Sequence, residues 1–175
     1  MVHYENSDLI PLKDFPIAWR ITDPRWSSQP DAILDRIKPL SAAMGRELYA
    51  RSPLSRPLKY PPDVSPLCIT GEQSLEGSGP PQDADCYRWF RALPIEPTRE
   101  VYLCWDMGGG VAAVIDWGTF TEIWDDLWYP FDRMCVFDDT LGWVVLFGAD
   151  EIARFAEESS ERVPTRTSAD AIFPR

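Results

Sequence analysis

EVYLCWDMGGGVAAVIDWGTFTEIWDDLWYP, Glu100 to Pro130, is the stretch whose partition decides the fold class. EVYLCWD (Glu100–Asp106) has the β-branched and aromatic content of a strand. Gly108-Gly109-Gly110 follows as a turn, and VAAVIDW returns as the partner strand. A glycine triplet can also cradle phosphate, but such a loop leads from a strand into a helix N-terminus, with a lysine nearby in the P-loop case. Here the glycines lead into a strand pattern, and no lysine occurs after Lys59. The triplet is read as a hairpin turn.

The remainder predicts a helix. Thr119-Phe-Thr-Glu122 fits a capping box, which sets the helix start at Thr119. Phe120, Ile123, Trp124 and Leu127 then fall at i, i+3, i+4 and i+7, one apolar stripe assigned to the core. Pro130 ends the helix, because the residue before a proline is pushed out of the α region. Glu122, Asp125 and Asp126 lie off the stripe and are expected in solvent, with Trp128, Tyr129 and Asp132 beside them at an exposed helix end. Acids at a helix C-terminus oppose the macrodipole by about 0.3–1 kcal/mol each. Residues kept at a local cost are candidates for function; a neighbouring arginine such as Arg133 is the structural alternative.

Outward from this segment, DADCYRWFRAL predicts a helix before it, and MCVFD with GWVVLF a hairpin after it, turning near Asp139–Gly142. A last helix is expected from Asp150 through EIARFAEES, and a frayed tail over 163–175. Nearer the start, PIAWRIT (Pro16–Thr22) reads as a strand. Pro30 is placed as a first-turn proline before DAILDRI, and PLSAAMGRELYARS (Pro39–Ser52) reads as a helix. Five prolines between 53 and 66, and the Gly/Pro/Ser-rich GEQSLEGSGPPQ over 71–82, mark two long surface loops. The sum is one α+β domain over 1–162, an antiparallel sheet of about four to six strands with helices packed against it.

Composition narrows the function. A chain of 175 residues, 45% apolar with eight tryptophans, can build a substantial core. No apolar run reaches the roughly 20 residues of a membrane span, and MVHYENSDLI lacks the layout of a secretion signal. Cys68, Cys86, Cys104 and Cys135 form no CxxC pair and sit in apolar segments, which predicts buried, reduced thiols in a cytosolic protein, with a disulfide or zinc site as the alternative. The net charge of −11 is concentrated: residues 116–161 hold 12 acids and 2 bases, a net −10. Such a field repels nucleic acid and anionic membranes and attracts basic partners.

The catalytic inventory is thin. His3 is the only histidine, so Ser-His-Asp and Cys-His schemes lack a base in a well-ordered segment. Asp125, Asp126, Asp132, Asp138 and Asp139 could gather around a divalent cation, but their spacing follows no EF-hand loop. No cofactor, metal ligand set or catalytic residue is assigned. The alternative to a binding protein is a small carboxylate-based enzyme or divalent-metal-binding protein; a third reading is an adaptor working through the proline-rich stretch 53–66.

VYLCWD, then WGTFTEIWDDLWYP, VFD, GWVVLF and ADEIARF, with PIAWRITDPRW as an opening segment, resembles a group of small bacterial proteins. Their shared pattern is a strand with a tryptophan, an F-x-x-x-W-D-D-x-x-Y-P block, a short strand pair and a closing acidic-aromatic helix. The likeness is good over about 60 residues and loose over the first 60. It departs at Phe131-Asp132-Arg133-Met134, where small polar and acidic residues are usual, and at Gly148-Ala149-Asp150, where a histidine is usual. The group looks like cytosolic immunity proteins, which neutralise toxins delivered by competing bacteria. The resemblance implies a cognate toxin partner, basic around its active site, with neither nucleic acid nor membrane involved. Trp128 and Tyr129 are then expected as apolar anchors, with Glu122, Asp125, Asp126, Asp132, Asp138 and Asp139 meeting arginines or lysines.

Overall fold

The computed structural model describes residues 3–27, 29–57, 59, 61–75, 82–128 and 133–158. In chain order the elements are α1 (Trp19–Thr22), α2 (Asp31–Leu34), β1 (Lys38–Pro39), α3 (Ala42–Arg51), β2 (Cys68–Ser74) and α4 (Gln82–Ala92). They continue with β3 (Glu100–Trp105), β4 (Val111–Asp116), α5 (Trp117–Leu127), β5 (Met134–Phe137), β6 (Trp143–Phe147) and β7 (Ile152–Glu157). The fold is α+β. The strands form one sheet in the order β1-β4-β3-β5-β6-β7-β2, every pair antiparallel. It therefore has seven strands rather than four to six.

Side chains alternate between the two faces of a strand, and here both faces are covered. Val101, Leu103 and Trp105 of β3 join Val111, Ala113 and Ile115 of β4 in a core with Ile21 of α1, Phe90 of α4 and the stripe of α5. Tyr102, Cys104, Ala112, Val114, Cys135 and Phe137 point the other way, onto Met44 and Leu48 of α3 and Leu54. An antiparallel sheet open to water on one face alternates apolar and polar residues. Burial on both faces is why VYLCW, VAAVI, MCVF and WVVLF are unbroken apolar runs. The hairpin turn at Gly108–Gly110 stands as expected, each glycine at positive φ (75°, 68° and 124°).

Several expectations need correction. PIAWRIT is a turn leading into α1: Ile17 and Ile21, four residues apart, share a buried face, and the Thr22 hydroxyl donates back to the Ala18 carbonyl at 2.9 Å, a bond helical geometry provides. Pro39 belongs to β1, and α3 starts after the Ser41 cap, whose Oγ accepts from Met44 N at 3.3 Å. Residues 71–74 are not loop; they complete edge strand β2, with a bulge between Ile69 and Gly71. EIARFAE is strand β7, lying between β6 and β2. Ala153 and Phe155 enter one face, Arg154 and Ala156 the other. Arg154 disguises this period of two, because it is polar yet buried. Its guanidinium is clamped by Asp150 (3.0 and 2.6 Å) and by Glu72 at 2.8 Å. Asp150 thus closes a turn before β7 instead of capping a helix. Cys86, Cys104 and Cys135 are buried thiols as expected, but Cys68 is exposed on β2. The expected tail over 163–175 lies outside the described residues, as do 76–81.

Candidate functional site

Helix α5 starts three residues earlier than the capping-box reading placed it. Asp116 is the N-cap: its Oδ1 accepts from Thr119 N at 2.9 Å, and the Thr119 hydroxyl also donates to it. Thr119 is buried, so it cannot serve as the solvent-facing cap. The stripe keeps its phase, and Phe120, Ile123, Trp124 and Leu127 are all buried. The helix kinks at Ile123 (φ −128°, ψ 21°) and ends at Trp128 in extended geometry, whose N–H donates to Trp124 O at 2.9 Å.

Trp128 is the main correction at the site. It is only 3% exposed, with its ring 6.3 Å from Trp124 in a stacked pose and 6.2 Å from Phe147. Position i+8 from Phe120 continues the apolar stripe, which is the signal that marks it as core. It cannot be a protruding anchor. Tyr129 and Asp132 lie outside the described residues.

The remaining carboxylates separate into different places. Asp138 is 6% exposed and holds the β5–β6 turn: Oδ1 accepts from Thr140 N (3.0 Å) and Thr140 Oγ1 (2.5 Å), and Oδ2 from Arg99 at 2.9 Å. Asp139 pairs with the same arginine at 2.5 Å. Both belong to the Arg99 end of β3, whereas α5 terminates at the Trp105 end, where the indole N–H donates to Leu127 O at 2.9 Å. Six strand residues put roughly 17 Å between those ends, so Asp138 and Asp139 do not share one surface with Asp125 and Asp126. Glu122 is exposed, but it faces a cleft between α4 and α5 that also holds Arg88 and Arg91.

Asp125 and Asp126 are left at the end of α5, and the structure brings them neighbours that sequence reasoning missed. The Asp126 carboxylate accepts from Ser27 Oγ at 2.7 Å and from the Gln29 amide. It thereby tethers the segment after α1 onto α5. Tyr87 Oη lies 3.3 Å from Asp125 Oδ1. Arg20, buried, donates to Leu127 O at 3.4 Å, so a cation offsets the helix C-terminus and lowers the cost of the nearby acids. Arg133, the alternative considered from sequence, instead pairs with Asp106 at 2.9 Å.

Trp19 at the start of α1 and Trp26 on this tethered segment are 40% and 60% exposed, their rings in edge contact at 5.5 Å. A tight turn brings Trp26 back toward Trp19: Trp26 N donates to Asp23 O at 2.9 Å. The Arg25 guanidinium, bonded to the Asp23 carboxylate at 2.5 Å, holds its pKa down at about 2. Trp19, Arg20, Trp26, Asp125, Asp126 and Trp128 enclose a cavity of about 90 Å³. A strand reading of PIAWRIT hid this pair; the signal available was two tryptophans flanking the turn-forming Asp23-Pro24-Arg25.

The arrangement offers apolar contact area beside negative charge. Among the described residues, no group of three or more His, Cys, Asp or Glu side chains lies close enough to hold a metal ion, and no helix is long and apolar enough to cross a membrane. No family model, curated protein or solved structure matches the chain.

Proposed function

We propose that this chain is a cytosolic immunity protein that binds one cognate bacterial toxin, basic around its active site, and inhibits it by occlusion. The observation that carries the reading is the end of α5, where Trp19 and Trp26 stand exposed beside Asp125 and Asp126. Tryptophan is the residue type most enriched in interface hot spots. The acids sit within the block of net charge −10, which favours rapid encounter with a basic partner at low salt. The resemblance, whose closing helix is strand β7 here, agrees in kind.

The test is capture of partners from the native bacterium with tagged protein, washed at low and then high salt. The proposal expects a basic protein with an enzymatic domain, released by salt, whose activity falls to background on addition of one equivalent of this chain. Asp125→Lys is the better charge reversal, since Asp126 also tethers Ser27 and Gln29. It should weaken binding about tenfold at low salt and less at high salt. A captured protein whose activity is not inhibited, or no partner at either salt, overturns the reading.

A further inference from the structure

Among the described residues only three large apolar side chains are well exposed, Trp19, Trp26 and Met107, and the first two touch each other. They do so at the mouth of a cavity whose lining carries two carboxylates, Asp125 and Asp126, and one guanidinium, Arg20. Its volume, about 90 Å³, leaves room for a small group such as a planar head of a few heavy atoms.

We infer that this cavity is a receptor for a single guanidinium, that of an arginine on the surface of a partner protein. An indole face attracts cations, and a planar guanidinium stacks on it as well. The carboxylates supply the matching charge; Asp126 already accepts from Ser27 and Gln29 and Asp125 from Tyr87, and an ionised carboxylate has acceptor capacity beyond these bonds. The site already contains one instance of this contact: the Arg20 guanidinium carbon lies 5.4 Å from the Trp19 ring centre. Among the described lining residues two carboxylates stand against one guanidinium, so the balance of formal charge is acidic. Trp26, the more exposed of the two rings, is the surface left to receive the incoming group. The inference deepens the toxin-binding reading and rests on it for the partner, but its chemistry can be tested without the toxin.

The probe is N-acetyl-arginine methylamide, titrated while the indole N–H signals are followed by NMR and assigned with Trp19→Phe and Trp26→Phe. N-acetyl-citrulline methylamide, the neutral isostere, is the control. The expected result is a shift confined to the signals of the indoles lining the cavity, Trp19, Trp26 and Trp128, with a Kd on the order of 1–10 mM. Citrulline should bind at least tenfold more weakly, and Trp26→Ala should abolish the response while the other indole signals keep their positions. No shift up to tens of millimolar, or equal shifts from both probes, overturns the site. If a toxin is captured and Trp26→Ala captures it undiminished, the site falls while the immunity reading stands. If arginine binds here and no toxin is found, the site stands and that reading falls.

Discussion

Gly45→Ala tests the packing of α3 on the sheet. On helix propensity alone the change should stabilise, since alanine is favoured over glycine by about 1 kcal/mol in a helix interior. The structure predicts the opposite. A Cβ on Gly45 would lie 2.2 Å from the Gly110 carbonyl oxygen, 2.5 Å from its carbon and 2.8 Å from its Cα. Ordinary contact needs about 3.5 Å, so the helix and the β3–β4 turn must part by more than 1 Å. Neither is free to move. Leu40 N donates to Ala112 O at 2.9 Å just before the helix, and Tyr49 Oη donates to Asp106 Oδ1 at 2.9 Å near its end. Gly110 is itself confined at φ 124°, where its own added Cβ would sit 3.1 Å from Ala42 O. Overpacking of this kind costs about 1–3 kcal/mol, and a backbone-on-backbone clash belongs at the upper end. After the propensity gain is subtracted, a net loss of about 2 kcal/mol remains, roughly 4–8 °C in Tm for a chain of this size. Thermal and urea unfolding of Gly45→Ala should both report it, with an unchanged m-value. Ala43→Gly, at an exposed position of the same helix, should cost about 1 kcal/mol by propensity alone. A Tm for Gly45→Ala equal to or above that of the wild type would refute the close approach.

Asp138→Ala should cost about 2 kcal/mol, because it strips acceptors from Arg99 and Thr140 at a buried position, whereas Asp139→Ala, partly exposed, should change stability by less than about 0.5 kcal/mol. Equal effects in urea unfolding would contradict the structural role given to Asp138. The Arg154 guanidinium holds the Asp150 carboxyl below its ordinary pKa. A folded pKa below the unfolded value, about 3.9, gives stability that is complete above that value and lost as pH falls through the folded one. Asp150→Asn should therefore lower stability at pH 7 by about 1 kcal/mol after allowing for partial exposure, roughly 2–4 °C in Tm. It should also flatten the fall in Tm below about pH 4; a slope as steep as that of the wild type would count against the pairing. Thiol labelling of the native protein should modify Cys68 alone and reach Cys86, Cys104 and Cys135 only on unfolding; burial also raises the pKa of the Cys135 thiol. Rapid native labelling of more than one cysteine would show that the two-faced burial of the sheet is wrong.

What the sequence determined by itself was local in origin. The strands β3 to β6, the helices α3, α4 and α5, and the stripe Phe120, Ile123, Trp124, Leu127 all follow from periods and turn residues within a dozen positions. The exposure of Glu122 and Asp125 follows from the same phase. Tertiary contacts decided the rest. Residues 152–157 hold apolar side chains compatible with either period, and β7 is selected because β6 and β2 hydrogen-bond it on both sides, with Glu72 reaching Arg154 from 82 residues away. For Trp128 the sequence offered a hint, the i+8 spacing from Phe120, and the slot that Trp124 and Phe147 leave it decided its burial. The candidate site has the same character. Asp126 meets Ser27 across 99 residues, and that long-range tether sets Trp19 and Trp26 beside the end of α5. Periodicity reports which face of an element seeks cover, whereas the identity of what covers it depends on contacts between segments distant in the chain.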